Sequence, residues 1–230
     1  PTTVSTTVPP VMPTVVIRSL PARLGTALIG LAAVGMSLTI GLADGVGHGL
    51  RTLAWAGLLT FLTWLLWWAP QITLAPRALT IRNAWRTHVL DWGEVEMCRT
   101  RWGLSVITRD DVEVRASAAP RRGGMAESFR RRQELREQQE RRDGLRAAEP
   151  APAVRPEYLV GEGTHRTNLD TGDAGALIEA YAEQVRSLPA QAADETAPGA
   201  AAGVTSSLNR PVVVAAGLLA VALAAVTVLL

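Results

Sequence analysis

Lysine is missing from this 230-residue chain, so all 23 of its basic side chains are arginine. Cysteine is nearly missing. Cys98 stands alone, which excludes an intramolecular disulfide and a thiolate metal cluster. A single Cys in a strand-like run reads as a small buried apolar residue. The net charge of +2 is too small to argue for a nucleic-acid partner. His48, His88 and His165 lie far apart with no second His or Cys at ligand spacing, so no metal site is expected. No nucleophile–base pair is visible, so no catalytic residue and no cofactor is assigned, and the chain is not expected to be an enzyme. Asp91, Glu94 and Glu96 cluster around one turn, as a solvated strand end does. Gly45, Gly47 and Gly49 follow no strand and open no nucleotide-binding helix, which rejects a phosphate loop.

Charge is absent too from three long apolar runs, at 24–43, 52–69 and 212–230. At about 1.5 Å per residue, a helix of this length covers the roughly 30 Å hydrocarbon core. Each is expected to be helical, because lipid offers no partner to backbone N–H and C=O groups. Trp64, Trp67 and Trp68 crowd toward the end of the second run, as interfacial indoles do. Residues 41–43 resemble a small-x-small cleavage site, but a second span follows eight residues later, so an uncleaved hairpin is expected. With no charge inside the spans, nothing suggests an ion pathway. Small residues recur every fourth position, as Ala33, Ser37 and Gly41 and again as Ala216, Ala220 and Ala224. Such stripes allow close helix packing, or simply reflect how common Ala and Gly are here.

Arginine placement sets the orientation. Arg18 and Arg23 precede the first span, Arg77, Arg82 and Arg86 follow the second, and Arg210 abuts the third. The positive-inside rule therefore predicts a multi-pass cell-membrane protein with its N-terminus and the 70–210 region cytoplasmic and its C-terminus extracytoplasmic.

Between the second and third spans the period changes to two. QITLA, ALTIRN, HVLDW, VEMCRTR, LSVITR and VEVRA read as short strands, with Asp110-Asp111 as a hairpin turn. An antiparallel barrel or sandwich is expected. Residues 173–188 read as an amphipathic helix with Leu177, Tyr181, Val185 and Leu188 on one face. Strands followed by one closing helix suit a pleckstrin-homology (PH) layout, among several small β folds.

The stretch 64–116 resembles the actinobacterial PH-like membrane proteins named for low molecular weight protein antigen 6. The likeness rests on the Trp-rich helix end, then L-T-I-R-N, then R-T-H-x-L-x-W-x-E-V, then a hairpin. It implies a PH-like barrel tethered beneath the membrane, with no catalytic residues. Together with the apolar runs, the expected fold class is α+β: three transmembrane helices plus a PH-like antiparallel β barrel with a C-terminal amphipathic helix. The expected organisation is a disordered tail at 1–23, a helical hairpin at 24–69, a cytoplasmic PH-like domain at 70–188, a linker at 189–211 and a third span at 212–230. A charged insertion at 121–150 and the terminal span depart from the family pattern.

The insertion is rich in helix formers but lacks an apolar stripe, so an exposed helix or a partly disordered segment is expected there. Charge divides the soluble region: residues 77–132 hold 12 Arg against 7 acids, and residues 133–210 hold 8 against 13. The basic half begins directly beneath the bilayer, where anionic lipid attracts each Arg by about 1 kcal/mol. The corner containing Arg82, Trp85, Arg86 and His88 is accordingly the candidate surface for anionic lipid or a protein partner, with an ordinary solvated hairpin tip as the plainer reading. The expected function is a membrane-tethered, non-enzymatic binding or scaffolding module. The alternative is a small accessory subunit that packs through its spans into a larger membrane complex.

Overall fold

The computed structural model describes residues 12–119, 154–187 and 203–229. Three helices are long and apolar enough to cross a membrane: Leu20–Asp44 (α1), the run Val46–Trp68 and Arg210–Thr227. Ser19 starts α1, its Oγ accepting from the Ala22 N–H at 3.3 Å, and a proline sits in the first turn. Gly45, at φ 98°, is the whole connection to α2 (Val46–Thr63), because only glycine adopts that backbone without strain. His48 and Arg51 are thus helical, where a loop over 44–51 had been expected. The second span ends in a π-helical turn, Trp64–Trp68, closed by the Ala69 N–H to the Trp64 carbonyl at 2.9 Å.

Among the described residues, nine strands and one long helix lie outside the three apolar helices. The strands are β1 (Thr14–Ile17), β2 (Gln71–Leu74), β3 (Leu79–Arg82), β4 (Arg86–Leu90), β5 (Val95–Arg99), β6 (Leu104–Thr108), β7 (Glu113–Ala116), β8 (Thr164–Thr167) and β9 (Val204–Leu208). Helix α3 (Thr171–Ser187) follows β8, and α4 (Arg210–Leu229) follows β9. One sheet has the order β8-β1-β2-β3-β4-β9 and the other β5-β6-β7.

Strands β2 to β7 overlap the six runs read from the sequence, β4 starting two residues before H-V-L-D-W, but two segments expected to lack structure complete the larger sheet. In the supposed tail, Val15 and Ile17 are fully buried, and β1 pairs with β2 on one side and β8 on the other. In the supposed linker, β9 pairs with β4 along all five residues. Both segments are short and, read alone, too polar in their surroundings to signal a strand; neighbours distant in sequence make them strands. The sheets are open and the larger one is mixed, since β1 and β8 run parallel, where a closed antiparallel barrel had been expected. The insertion at 121–150 lies outside the described residues.

The core fills the space between the sheets and α3, with Ile17, Ile72, Leu74, Leu79, Ile81, Leu90, Leu104, Leu177 and Ile178 essentially inaccessible. Trp92 stacks on Tyr181 with ring centroids 4.9 Å apart. The indole N–H donates to the Ala75 carbonyl and the Tyr181 hydroxyl to the Pro13 carbonyl, each at 2.8 Å, so both polar handles are satisfied inside. A second, smaller cluster of Leu65, Ala84 and Val212 joins the end of the second span, the β3–β4 corner and the start of α4.

The candidate membrane-facing rim

Chain direction defines one end of the β domain as the end nearest the spans. β1 runs into α1, β2 emerges from the second span, and β9 runs into α4. The β3–β4 corner meets Leu65 and Val212. Asn83 fastens this corner to the second sheet: its Nδ2 donates to the Arg115 carbonyl at 2.6 Å, and its Oδ1 accepts from the Ser117 N–H at 3.0 Å. Asn209 fastens the same corner to α4, donating to the carbonyls of Asn83 and Ala84 and accepting from Thr87 Oγ1 at 2.6 Å. Two asparagines therefore hold sheet, corner and membrane helix in one arrangement.

Arginines gather on this rim. Successive strand residues alternate between faces, so register assigns each side chain to a side. Arg82 pairs with Gln71, and Arg166 pairs with Val16, two residues before Arg18. Arg18, Arg82 and Arg166 thereby share the outer face of the large sheet. Arg18 Nε donates to Gln71 Oε1 at 3.0 Å, and its backbone N–H donates to the Thr167 carbonyl at 3.0 Å. Burial lowers the Arg18 pKa, and the like charges of Arg23, Arg166 and Arg82 lower it further. Arg23 lies over the Trp68 ring at 4.3 Å, a cation–π contact at the foot of α1. Among the described residues, none of these four arginines forms an ion pair.

The four corner residues singled out from sequence do not form one patch. Arg82 joins Arg18 and Arg166, whereas Arg86 and His88 lie on the opposite, core-side face of β4, with His88 beside Ile81. Trp85 is 42% exposed at the corner itself. Burial, then the Arg86 charge, lowers the His88 pKa, which favours a neutral imidazole. Sequence reading had no means to find Arg166, which sits on a strand reading T-H-R-T. It placed Arg18 only as a flanking charge, because the strand before it was taken as tail.

The small-residue stripes also separate. Ala33 and Ser37 are buried. Gly41 faces Gly49, where an added Cβ would stand 2.7 Å from the Gly41 Cα, so the two helices touch backbone to backbone. On α4, Ala216 is half-buried while Ala220 and Ala224 are exposed.

Cys98 is half-buried, with its pKa pushed up to about 12 by desolvation and then by Glu179. Among the described residues no group of three His, Cys, Asp or Glu could hold a metal ion. The rim therefore offers fixed positive charge and interfacial indoles, a chemistry of anion binding. No protein-family model, curated protein or solved structure matches this chain.

Proposed function

We propose that this chain is a membrane-tethered, non-enzymatic binding or scaffolding module with a PH-like fold, whose basic rim engages anionic lipid headgroups at the inner membrane face. Support for the fold comes from strand order. Strands β1 to β4 neighbour one another in order within the six-stranded sheet, which β8 and β9 extend at its two edges. Strands β5 to β7 form the second sheet, and α3 follows, with the helical hairpin inserted between β1 and β2. Arg18, Arg82 and Arg166, gathered on one face without a carboxylate partner among the described residues, carry the lipid reading. Arginine placement supports a rim that faces the cytoplasmic leaflet. The far end of the domain, with Asp91, Glu94, Asp110 and Asp111 on its turns, is left to soluble protein partners.

Native mass spectrometry of the full chain, released from nanodiscs of mixed phosphatidylglycerol and phosphatidylcholine, tests this. Phosphatidylglycerol should be retained preferentially, and replacing Arg18, Arg82 and Arg166 by Gln should weaken the preference. Equal retention of both lipids by the unaltered chain would overturn it. The accessory-subunit reading draws on the exposed apolar faces of α1 and α4, where Leu28, Leu31 and Leu218 stand about two-thirds or more exposed. It predicts lipid indifference and a larger membrane complex in mild detergent.

A further inference from the structure

The β5–β6 hairpin bears the most exposed indole on the rim. Trp102 is 79% exposed, and the Arg101 guanidinium lies 5.4 Å from its ring centroid. Position follows from register. Leu104 pairs with Ala116, and the Arg115 carbonyl is bonded to Asn83, whose corner meets the second and third spans. The hairpin tip therefore lies at the span-facing end of the second sheet, as the β3–β4 corner does for the first.

Behind Trp102 a cleft of about 790 Å³ opens, lined by Arg99, Arg101, Ser105, Glu113 and Arg115. Register sets Arg99, Ser105 and Arg115 in a row across the three strands. Glu113 is engaged already: it accepts from Ser105 Oγ at 2.8 Å and pairs with Arg115 at 3.3 Å. Arg99 and Arg101 remain, with no ion pair among the described residues, beside an indole at membrane level. An indole suits the interfacial layer, and a guanidinium binds phosphate oxygens through its planar fork.

We propose that this cleft is a second lipid site, which takes the phosphate headgroup of an anionic phospholipid while Trp102 anchors the hairpin in the interfacial layer. The assignment rests on the rim facing the bilayer, as proposed above, but uses different residues.

A test uses the full chain in nanodiscs, with Trp102→Cys in a Cys98→Ala background carrying an environment-sensitive fluorophore. Adding phosphatidylglycerol to phosphatidylcholine discs should shift the emission to the blue and shield the probe from an aqueous quencher. In otherwise unaltered protein, Arg99→Ala and Arg101→Ala should each lower phosphatidylglycerol retention roughly fivefold. A probe that stays aqueous in both lipids overturns the proposal. So does retention unchanged in Arg99→Ala and Arg101→Ala; if Arg82→Gln still lowers it, the large-sheet site stands without this one. Loss confined to Arg99→Ala and Arg101→Ala supports the cleft and removes the large-sheet site. Millimolar inorganic phosphate that displaces the lipid and returns the probe to water would identify free phosphate as the ligand and overturn the lipid assignment.

Discussion

Asn209 Nδ2 donates to the Asn83 carbonyl at 3.0 Å, joining the residue before the third membrane helix to the β3–β4 corner 126 positions earlier. The same amide reaches the Ala84 carbonyl at 3.2 Å, and the Asn209 N–H reaches the Trp85 carbonyl at 2.9 Å. Asn209→Ala keeps the backbone bond but leaves two carbonyls and Thr87 without this partner. A loss of about 1–3 kcal/mol is expected, read as a lower unfolding temperature in detergent. Asn209→Asp, which retains the acceptor and loses the donors, should recover little of it.

Helices α1 and α2 approach closely at Gly49, where an added Cβ would meet the Gly41 Cα at 2.7 Å and the Ser37 carbonyl oxygen at 3.0 Å. Both are backbone atoms and cannot swing aside, so Gly49→Leu should pry the hairpin apart and lower its resistance to denaturing detergent. Gly57, on the same helix, meets nothing within 4 Å. Gly57→Ala should be neutral or slightly stabilising, by up to about 1 kcal/mol.

Tyr181 ties α3 to the segment before β1. Tyr181→Phe keeps the stack on Trp92 but deprives the Pro13 carbonyl of its donor. A cost of about 1–2 kcal/mol is expected in thermal unfolding, with faster amide exchange at residues 14–17.

The depressed pKa of His88 gives stability a pH slope of known sign. Near the ordinary value of 6.5 the unfolded chain takes up a proton that the folded chain still refuses. This contribution is complete above that value and is lost as pH falls toward the lower folded value. His88→Gln should flatten the unfolding temperature between pH 7.5 and 5.5 relative to the unaltered protein.

With its pKa near 12, the Cys98 thiol is almost entirely protonated at pH 8. Alkylation by iodoacetamide should be slower in the folded chain than after denaturation by a factor on the order of a thousand. Equal rates in the two states would show that the thiol is neither buried nor suppressed.

Local pattern was enough for the spans and for β2 to β7. A span must satisfy its backbone internally and shield nothing but lipid, so an uncharged run of adequate length announces itself. Alternation in LTIR or EVRA likewise reflects one buried face, and the residues themselves carry it. Gly41 could be read as part of a packing stripe, although its partner Gly49 could not.

Tertiary structure alone decided the edges and the rim. TVVI and VTSSL become strands only because β2, β8 and β4 offer them free hydrogen-bonding edges, and no local signal encodes those neighbours. Arg18, Arg82 and Arg166 lie 64 and 84 residues apart in sequence, and sheet register, not composition, brings them to one face. The same register turns Arg86 and His88 away from Arg82, since one step along a strand reverses the side a residue faces. Sequence by itself thus determined three runs long and apolar enough to cross a membrane and a β domain beside them. Folding decided which of its many arginines stand together.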